Sequence, residues 1–249
     1  PFRLELKEVK EILKKRSNAL FLFQGIFGMI GVTVVTKYLS YWFTSAQFDG
    51  LGINVTLAIV ILGAGGGLGG LFGILLVGRW IDAQFKRGNM NRILLFAIIC
   101  LFLQSFFYVL LIVAIDYPEN VNAEIGNVVV FLQQYPAFMS FILVFNLCVF
   151  CGTPIGTTVG VARTHVNLPE HRGTAGALYD LTDFIGAGIG IMVGTTFMLL
   201  FKSYRLTVLF GSAFWIGSGI IWLLIARTLK QDYEESRKIL EERRVRKIN

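Results

Sequence analysis

Histidine, cysteine and proline are scarce in this sequence of 249 residues, which has 2 His, 3 Cys and 5 Pro. His165 and His171 have no neighbouring metal ligands, so the sequence predicts no metal site. Cys148 and Cys151 have the spacing of a redox motif, but like Cys100 they lie in apolar segments without a nearby histidine. We therefore expect ordinary small buried side chains, no disulfide framework and no cofactor.

Charged residues are also few, at 16% of the chain, whereas hydrophobic residues make up 55%. This composition is typical of membrane proteins. An enzyme acting inside a membrane would need an acid and a base, or a set of metal ligands, at one depth. Asp180 and Asp183 come closest to such a set, and neither a base nor a metal ligand accompanies them. We therefore do not expect an enzyme.

Six long apolar runs fill most of the chain. Each reaches the ~20 residues that a helix needs to cross a bilayer core of about 30 Å. The sequence thus predicts an all-α, polytopic membrane protein, with a six-helix transmembrane domain over residues 18–227 between an N-terminal segment (1–17) and a charged helical tail (228–249). The runs are Asn18–Phe43, Gly52–Arg79, Arg92–Ile115, Pro136–Gly160, Thr174–Phe201 and Leu206–Ala226.

Positive charge lies almost entirely on one side of these runs. Of the 23 lysines and arginines, only Lys202 and Arg205 fall on the other side, and we expect Lys37, within the first run, to extend to the outer interface. Cytoplasmic loops collect Lys and Arg. The pattern predicts a cell-membrane protein with both termini in the cytoplasm. Its net charge of +7 suits anionic lipid head groups and does not argue for nucleic acid.

Both ends of the chain have helical patterns. In the tail, acid–base pairs four residues apart support a helix: Glu234–Lys238 and Glu242–Arg246. The N-terminal segment has an apolar face among basic residues, which predicts a helix lying along the cytoplasmic membrane surface; this face consists of Phe2, Leu6, Val9 and Leu13. The short apolar stretch 128–132 has two interpretations, an interfacial turn or the true start of the fourth helix.

Glycines recur at every fourth residue in three of the runs. Such stripes let helix backbones approach closely in a membrane, although spacing alone does not separate a fixed contact from a sliding one. In the fourth run, Pro154 removes a backbone hydrogen bond, so we expect a kink there. The stripes are Gly65, Gly69 and Gly73; Gly152, Gly156 and Gly160; and Gly186, Gly190 and Gly194.

The connection after the second run reads Gly78-Arg-Trp-Ile-Asp82-Ala-Gln-Phe-Lys86-Arg87. It resembles the cytoplasmic loop signature of the major facilitator superfamily, in which a glycine is followed by an acid and then by paired basic residues. Ala83 stands where the family has a basic residue, and Phe85 where it has a second glycine. Such departures are usual for the copy of this signature in the C-terminal half of these transporters.

Two further stretches resemble the same family, in particular its archaeal and bacterial spinster-type members. Residues 169–175, with Leu181-Thr-Asp183 and Gly186-x-Gly-x-Gly190, resemble the start of the eleventh helix, and Phe23-Gln24-Gly25 resembles that of the seventh. The resemblance covers nearly the whole chain and implies the C-terminal half of a major facilitator fold. Residues 1–17 would then be the linker between halves, and the first residue, Pro1, suggests a fragment or a trimmed product.

The resemblance also implies an inner gate. In the family, the loop acid contacts the eleventh helix and holds the cytoplasmic side shut, and a helix N-terminus does attract a carboxylate. Asp82 would accordingly contact the start of the helix at Thr174. The alternative is that these charges only anchor the topology. The candidate gate residues are Asp82, Gly78, Lys86, Arg87, Arg163 and Arg172.

Polar residues inside the runs are candidates for a substrate or coupling pathway, because a charge in lipid is costly and usually serves a function. Asp183 lies about 14 Å inside its run and shares a helix face with Asp180. Gln104 and Asn146 fall near mid-membrane, where transporters bind substrates, and Gln24 lies nearer the surface. The alternative for each is a hydrogen bond between helices or, for Asp180, contact with cytoplasmic water.

These features favour the C-terminal half of a secondary active transporter that moves a small molecule by alternating access. Its partners would be an N-terminal six-helix half and membrane lipids. The alternative is a non-transporting six-helix membrane assembly or scaffold subunit. Such a subunit would bury its glycine stripes and present no polar concave face.

Overall fold

The computed structural model describes residues 6–118, 121–122 and 125–248, and every regular element within these ranges is helical. Phe2, which the sequence assigns to the apolar face of the N-terminal segment, lies outside them. The helices are α1 (Leu6–Lys14), α2 (Arg16–Thr44), α3 (Val55–Lys86), α4 (Met90–Val113), α5 (Val128–Gln134), α6 (Ala137–Val166), α7 (Arg172–Phe201) and α8 (Tyr204–Ile248).

Six of these helices are long and apolar enough to cross a membrane: α2, α3, α4, α6, α7 and α8. The chain is therefore an all-helical, multi-pass membrane protein, as its apolar runs predict. We call the end that holds α1, the α3–α4 and α6–α7 connections and the tail the basic end, and the opposite end the far end. Helix α8 has 45 residues and continues without a break from the last apolar run into the charged tail.

Two elements differ from simple spanning helices. In α3, the residues Gly73–Val77 form a π-helical turn between two α-helical parts. Helix α5, Val128–Gln134, is neither an interfacial turn nor the start of the fourth spanning helix. It is a separate short helix, because Tyr135 leaves the helical conformation and Pro136 has no backbone N–H to continue the hydrogen bonding.

The spanning helices pack in a repeated pattern. Helix α2 packs against α7 and α8, helix α6 packs against α3 and α4, and α4 packs against α8. This pattern is unchanged when the first three spanning helices are exchanged with the last three, α2 for α6, α3 for α7 and α4 for α8. The first three and the last three spanning helices thus make equivalent contacts, with the main contacts running between the two sets.

Glycine makes two of these helix contacts possible. At Gly186 of α7, an added Cβ would lie 2.6 Å from the carbonyl oxygen of Ile26 in α2, and at Gly69 of α3 it would lie 2.2 Å from that of Asn146 in α6. The stripes of the second and fifth runs are therefore packing surfaces, as predicted. The stripe on α6 differs, since Gly156 and Gly160 have nothing within 4 Å of an added Cβ.

Helix α6 continues across Pro154. Because proline has no N–H, the carbonyl of Phe150 loses its usual helical partner. The hydroxyl of Thr153 replaces that partner and donates a hydrogen bond of 2.8 Å to the Phe150 oxygen. The residue before the proline thus satisfies the backbone group that the proline frees, which is what a buried helix in a membrane requires.

Hydrogen bonds at the basic end join the start of α2 and the residue before it to the tail part of α8. Asp232 of α8 accepts hydrogen bonds from the backbone N–H of Ser17 (2.9 Å) and from its hydroxyl (2.5 Å) at the start of α2. The Nζ of Lys15 donates to the carbonyl of Val166 and to the hydroxyl of Ser236, and burial lowers the pKa of this lysine. Helix α1 therefore lies against protein on one side, where Ile12 is buried.

Candidate functional site

A partly open cavity of about 350 Å³ is bordered by α2, α4, α6, α7 and α8. The helices around it are apolar, yet a group of polar side chains faces this space. A polar cavity within membrane-spanning helices is where substrates and ions bind in transport proteins. Its polar lining residues are Gln24, Gln104, Arg163, Tyr179, Asp180, Asp183 and Ser218.

Small residues create the space. The cavity is lined on one side by Gly25 and Gly28 of α2, and on the other by Gly152, Gly156 and Gly160 of α6. Because Gly156 and Gly160 have no neighbours within 4 Å of an added Cβ, they leave volume empty. The glycine stripe on α6, which the sequence presents in the same way as the other two, therefore borders the cavity, and its Gly156 and Gly160 contact no other helix.

Gln24 lies in a hydrogen-bonded group that joins three helices. Its Nε2 donates to the hydroxyl of Ser218 in α8 at 3.2 Å, and its Oε1 accepts from the hydroxyl of Tyr179 in α7 at 3.4 Å. Both ends of the amide are thus occupied by protein. Gln24 therefore links α2, α7 and α8 and positions this wall of the cavity.

Gln104 differs from Gln24, although both are buried glutamines that line the cavity. Its side chain is 8% exposed, and Gly152 provides the room for it, since an added Cβ there would lie 3.0 Å from its Nε2. Its Oε1 is buried and has no hydrogen-bond partner among the described residues. An orphaned acceptor in an apolar surrounding is costly unless water or a ligand satisfies it.

Asp183 lies opposite, where α7 approaches α2. An added Cβ at Gly25 would lie 2.9 Å from its Oδ1, so the glycine admits the carboxylate between the helices. This buried Oδ1 also has no hydrogen-bond partner in the part of the chain that the structure describes. Asp180, one turn closer to the basic end, is exposed. The structure therefore brings both predicted aspartates to one cavity, with Asp183 deeper inside.

Arg163 is the cation of the cavity. Its guanidinium carbon lies 5.2 Å from the centre of the Tyr179 ring, a cation–π geometry, and its Nη2 lies 3.8 Å from an added Cβ at Gly176. It forms no ion pair with Asp180 or Asp183 among the described contacts. Arg163 was predicted as a gate residue, and the structure places it at the cavity, near the start of α7.

The structure places the remaining predicted residues away from the cavity. Asn146 joins α6 to α3: its Oδ1 accepts from the Gly69 amide at 2.6 Å, and its Nδ2 donates to the Ala64 carbonyl at 3.1 Å. Asp82 is exposed at the basic end and makes no ion pair within the described ranges. The structure does not join it to Arg163 or to Arg172, whose Nε donates to the Asn167 carbonyl at 3.4 Å. Gly78, Lys86 and Arg87 lie near Asp82 at the end of α3.

Among the polar and aromatic residues that line the cavity, three were not predicted from the sequence: Tyr179, Trp215 and Ser218. Trp215 and Ser218 are three residues apart, so they share a face of α8, and Ser212 extends this face by another three residues. That spacing marks a polar stripe on an otherwise apolar run and is the signal that identifies the face. Tyr179 adjoins the predicted Asp180, but its own sequence neighbours do not distinguish it from an interfacial aromatic residue.

The cavity lacks the ligand set of a metal centre. Among the described residues, no three or more His, Cys, Asp or Glu side chains are placed to hold a metal ion. Its chemistry is that of hydrogen bonding and charge, with two carboxylates, one guanidinium, two amides and two hydroxyls. In the comparisons with known proteins, no family model, no curated protein and no solved structure matches this chain at a significant level.

Proposed function

We propose that this chain is the C-terminal six-helix half of a secondary active transporter of the major facilitator type, which moves a small molecule across the cell membrane by alternating access. The observation that carries the proposal is the equivalent packing of the first three and the last three spanning helices, since internal repeats of three helices build each half of these transporters. Both termini would lie in the cytoplasm, as the distribution of Lys and Arg suggests.

The cavity supports the proposal independently. A transporter needs a polar site near the middle of the membrane that each side can reach in turn. Gln104 and Asp183 supply buried polar atoms to the cavity, and Gly156 and Gly160 of the same lining face open space. A scaffold subunit gains nothing from an orphaned buried carboxylate oxygen, because that atom costs stability unless something binds it.

The inner gate at the basic end is part of the proposal. Asp82 is exposed and unpaired in the described part of the chain, so its gate contact would form in another conformation or with the partner half. Arg163 and Asp180 lie beside the start of α7, which makes them the charges best placed to open and close the basic end of the cavity.

The test uses Gly156→Cys in the protein as the cell makes it. A cysteine fits there without a clash, and the native Cys100, Cys148 and Cys151 are buried, so their background labelling is low. Alternating access predicts that a membrane-impermeant maleimide reaches this cysteine from outside in intact cells and from the cytoplasmic side in inverted vesicles.

Gly67→Cys on α3 is the matched control, because Gly67 is equally free of neighbours but does not line the cavity. It should remain unlabelled from both sides. Labelling of Gly156→Cys from one side only, or from neither, would reject alternating access and favour the non-transporting assembly or scaffold subunit.

A further inference from the structure

We propose that the cavity binds a small organic monocation, a protonated amine attached to a compact apolar body. The inference rests on the proposed function and specifies the substrate class of the same site. The juxtaposition that carries it is that of two buried acceptor atoms without donors, Oε1 of Gln104 and Oδ1 of Asp183, on the walls of one cavity.

The unsatisfied atoms decide which hydrogen-bonding groups the ligand needs. Both are acceptors, so a ligand that satisfies them must donate, as an ammonium group with its N–H bonds does. An anionic ligand would bring further acceptors to atoms that already lack donors. The Nε2 of Gln24 donates to Ser218 and satisfies neither of these two atoms.

The charges of the lining residues decide the sign of the charge that the ligand carries. Asp180 and Asp183 carry two negative charges and Arg163 one positive charge, so the cavity has a formal excess of one negative charge. Asp180 is exposed, whereas Asp183 has a buried oxygen without a donor, so a monocation bound at Asp183 satisfies that atom. Arg163 already interacts with the Tyr179 ring towards the basic end, which leaves Asp183 as the carboxylate available to the ligand.

The rest of the lining suits the apolar part of such a molecule. Met29, Leu101, Ile155 and Val159 surround the polar groups, and Trp215 adds an aromatic ring. Aromatic rings attract organic cations and also pack against apolar groups. At about 350 Å³, the cavity has the size of a site for a small molecule with one ring or a short chain.

Binding of three probes of similar size to the purified protein, as the cell makes it, tests the proposal by calorimetry at neutral pH. The probes are 2-phenylethylamine, which is a cation, 2-phenylethanol, which is neutral, and 3-phenylpropanoate, which is an anion. We expect the amine to bind at least about tenfold more tightly than the alcohol, as one charge-assisted hydrogen bond provides, and the anion to bind more weakly than either.

Two variants test whether the carboxylate of Asp183 is responsible for the preference for the amine. Asp183→Asn should reduce the affinity for the amine about tenfold and change that for the alcohol much less, because the shape is kept and the charge is removed. The control Asp116→Asn, at an exposed position at the far end, should leave both affinities unchanged. Equal affinities for amine and alcohol, or an unchanged amine affinity in Asp183→Asn, would overturn the proposal.

A second measurement keeps the test valid if Asp183→Asn does not fold. In the Gly156→Cys chain, 2-phenylethylamine should slow maleimide labelling at concentrations where 2-phenylethanol does not, and equal protection by both would also overturn the proposal. Two-sided labelling of Gly156→Cys without amine preference would reject the ligand class and retain the transporter. Amine preference with one-sided labelling would retain the binding site and reject alternating access.

Discussion

Gly69 shows how closely a single residue controls the distance between α3 and α6. Replacing it with alanine places a methyl group 2.2 Å from the carbonyl oxygen of Asn146, a backbone atom that cannot move aside without shifting α6. We expect Gly69→Ala to lower the free energy of unfolding by about 1–3 kcal/mol, the usual cost of overpacking. Unfolding of the purified protein in mixed micelles measures this change.

Gly67→Ala, two residues away on the same helix, is the matched control. Nothing lies within 4 Å of an added Cβ there, and alanine is the better helix former by about 0.5–1 kcal/mol. This variant should be as stable as the original protein or slightly more stable. If Gly69→Ala were no less stable than Gly67→Ala, the close approach of α3 and α6 would be contradicted.

Residue type alone does not distinguish a buried amide that the protein satisfies from one whose oxygen has no donor. Gln104 and Asn146 are both polar residues at mid-run, and the sequence gives them the same two interpretations. Asn146 lies against Gly69 and Ala64, whose backbone groups satisfy it, whereas the Oε1 of Gln104 finds no donor in the described residues. The difference comes from packing between segments distant in sequence, which no local pattern records.

At the scale of elements, the far end depends on one carboxylate between α2 and α3. Asp49 accepts hydrogen bonds from the hydroxyl of Ser203 (2.5 Å) and from the N–H groups of Tyr204 (2.6 Å) and Arg205 (3.2 Å). It therefore caps the start of α8 from outside that helix, at the end of the helix dipole that favours a negative charge.

We expect Asp49→Ala to lower the free energy of unfolding by about 1–2 kcal/mol, because three donors at the start of α8 lose their acceptor. Asp116→Ala provides the comparison, since Asp116 is also an acid at the far end but is exposed and makes no hydrogen bond within the described ranges. Thermal unfolding followed by circular dichroism distinguishes the two, and equal stability would argue against the cap.

The sequence predicted the positions of the spanning helices better than it predicted where each helix ends. Apolar runs located all six spanning helices, because lipid tolerates only segments that satisfy their own backbone hydrogen bonds. The continuation of α8 into the tail was not evident, since the composition changes sharply near Arg227 while the helix does not. The π-helical turn at Gly73–Val77 also leaves no local signal, as apolar residues flank it on both sides.

For the molecule as a whole, the distribution of positive charge predicts which end of the bundle faces the cytoplasm. Lys86→Cys and Lys238→Cys lie at the basic end, Gln47→Cys lies at the far end, and all three positions are exposed. In intact cells, an impermeant maleimide should label only the cysteine at position 47, because cytoplasmic segments retain Lys and Arg. After the cells are permeabilised, all three should react, and labelling of position 86 in intact cells would reverse the orientation.

Helix α8 is one continuous helix that extends from the far end of the molecule to the basic end. Asp49 holds its start at the far end, and Trp215 and Ser218 border the cavity about a third of the way along it. Asp232 and Ser236 bind the start of α2 and the end of α6. With 45 residues it is about 68 Å long, more than twice the thickness of a bilayer core. A tilt of about 10° around its middle would move each tip by roughly 6 Å, so α8 can act as a lever that converts a small rearrangement at a bound molecule into a displacement of the charged tail.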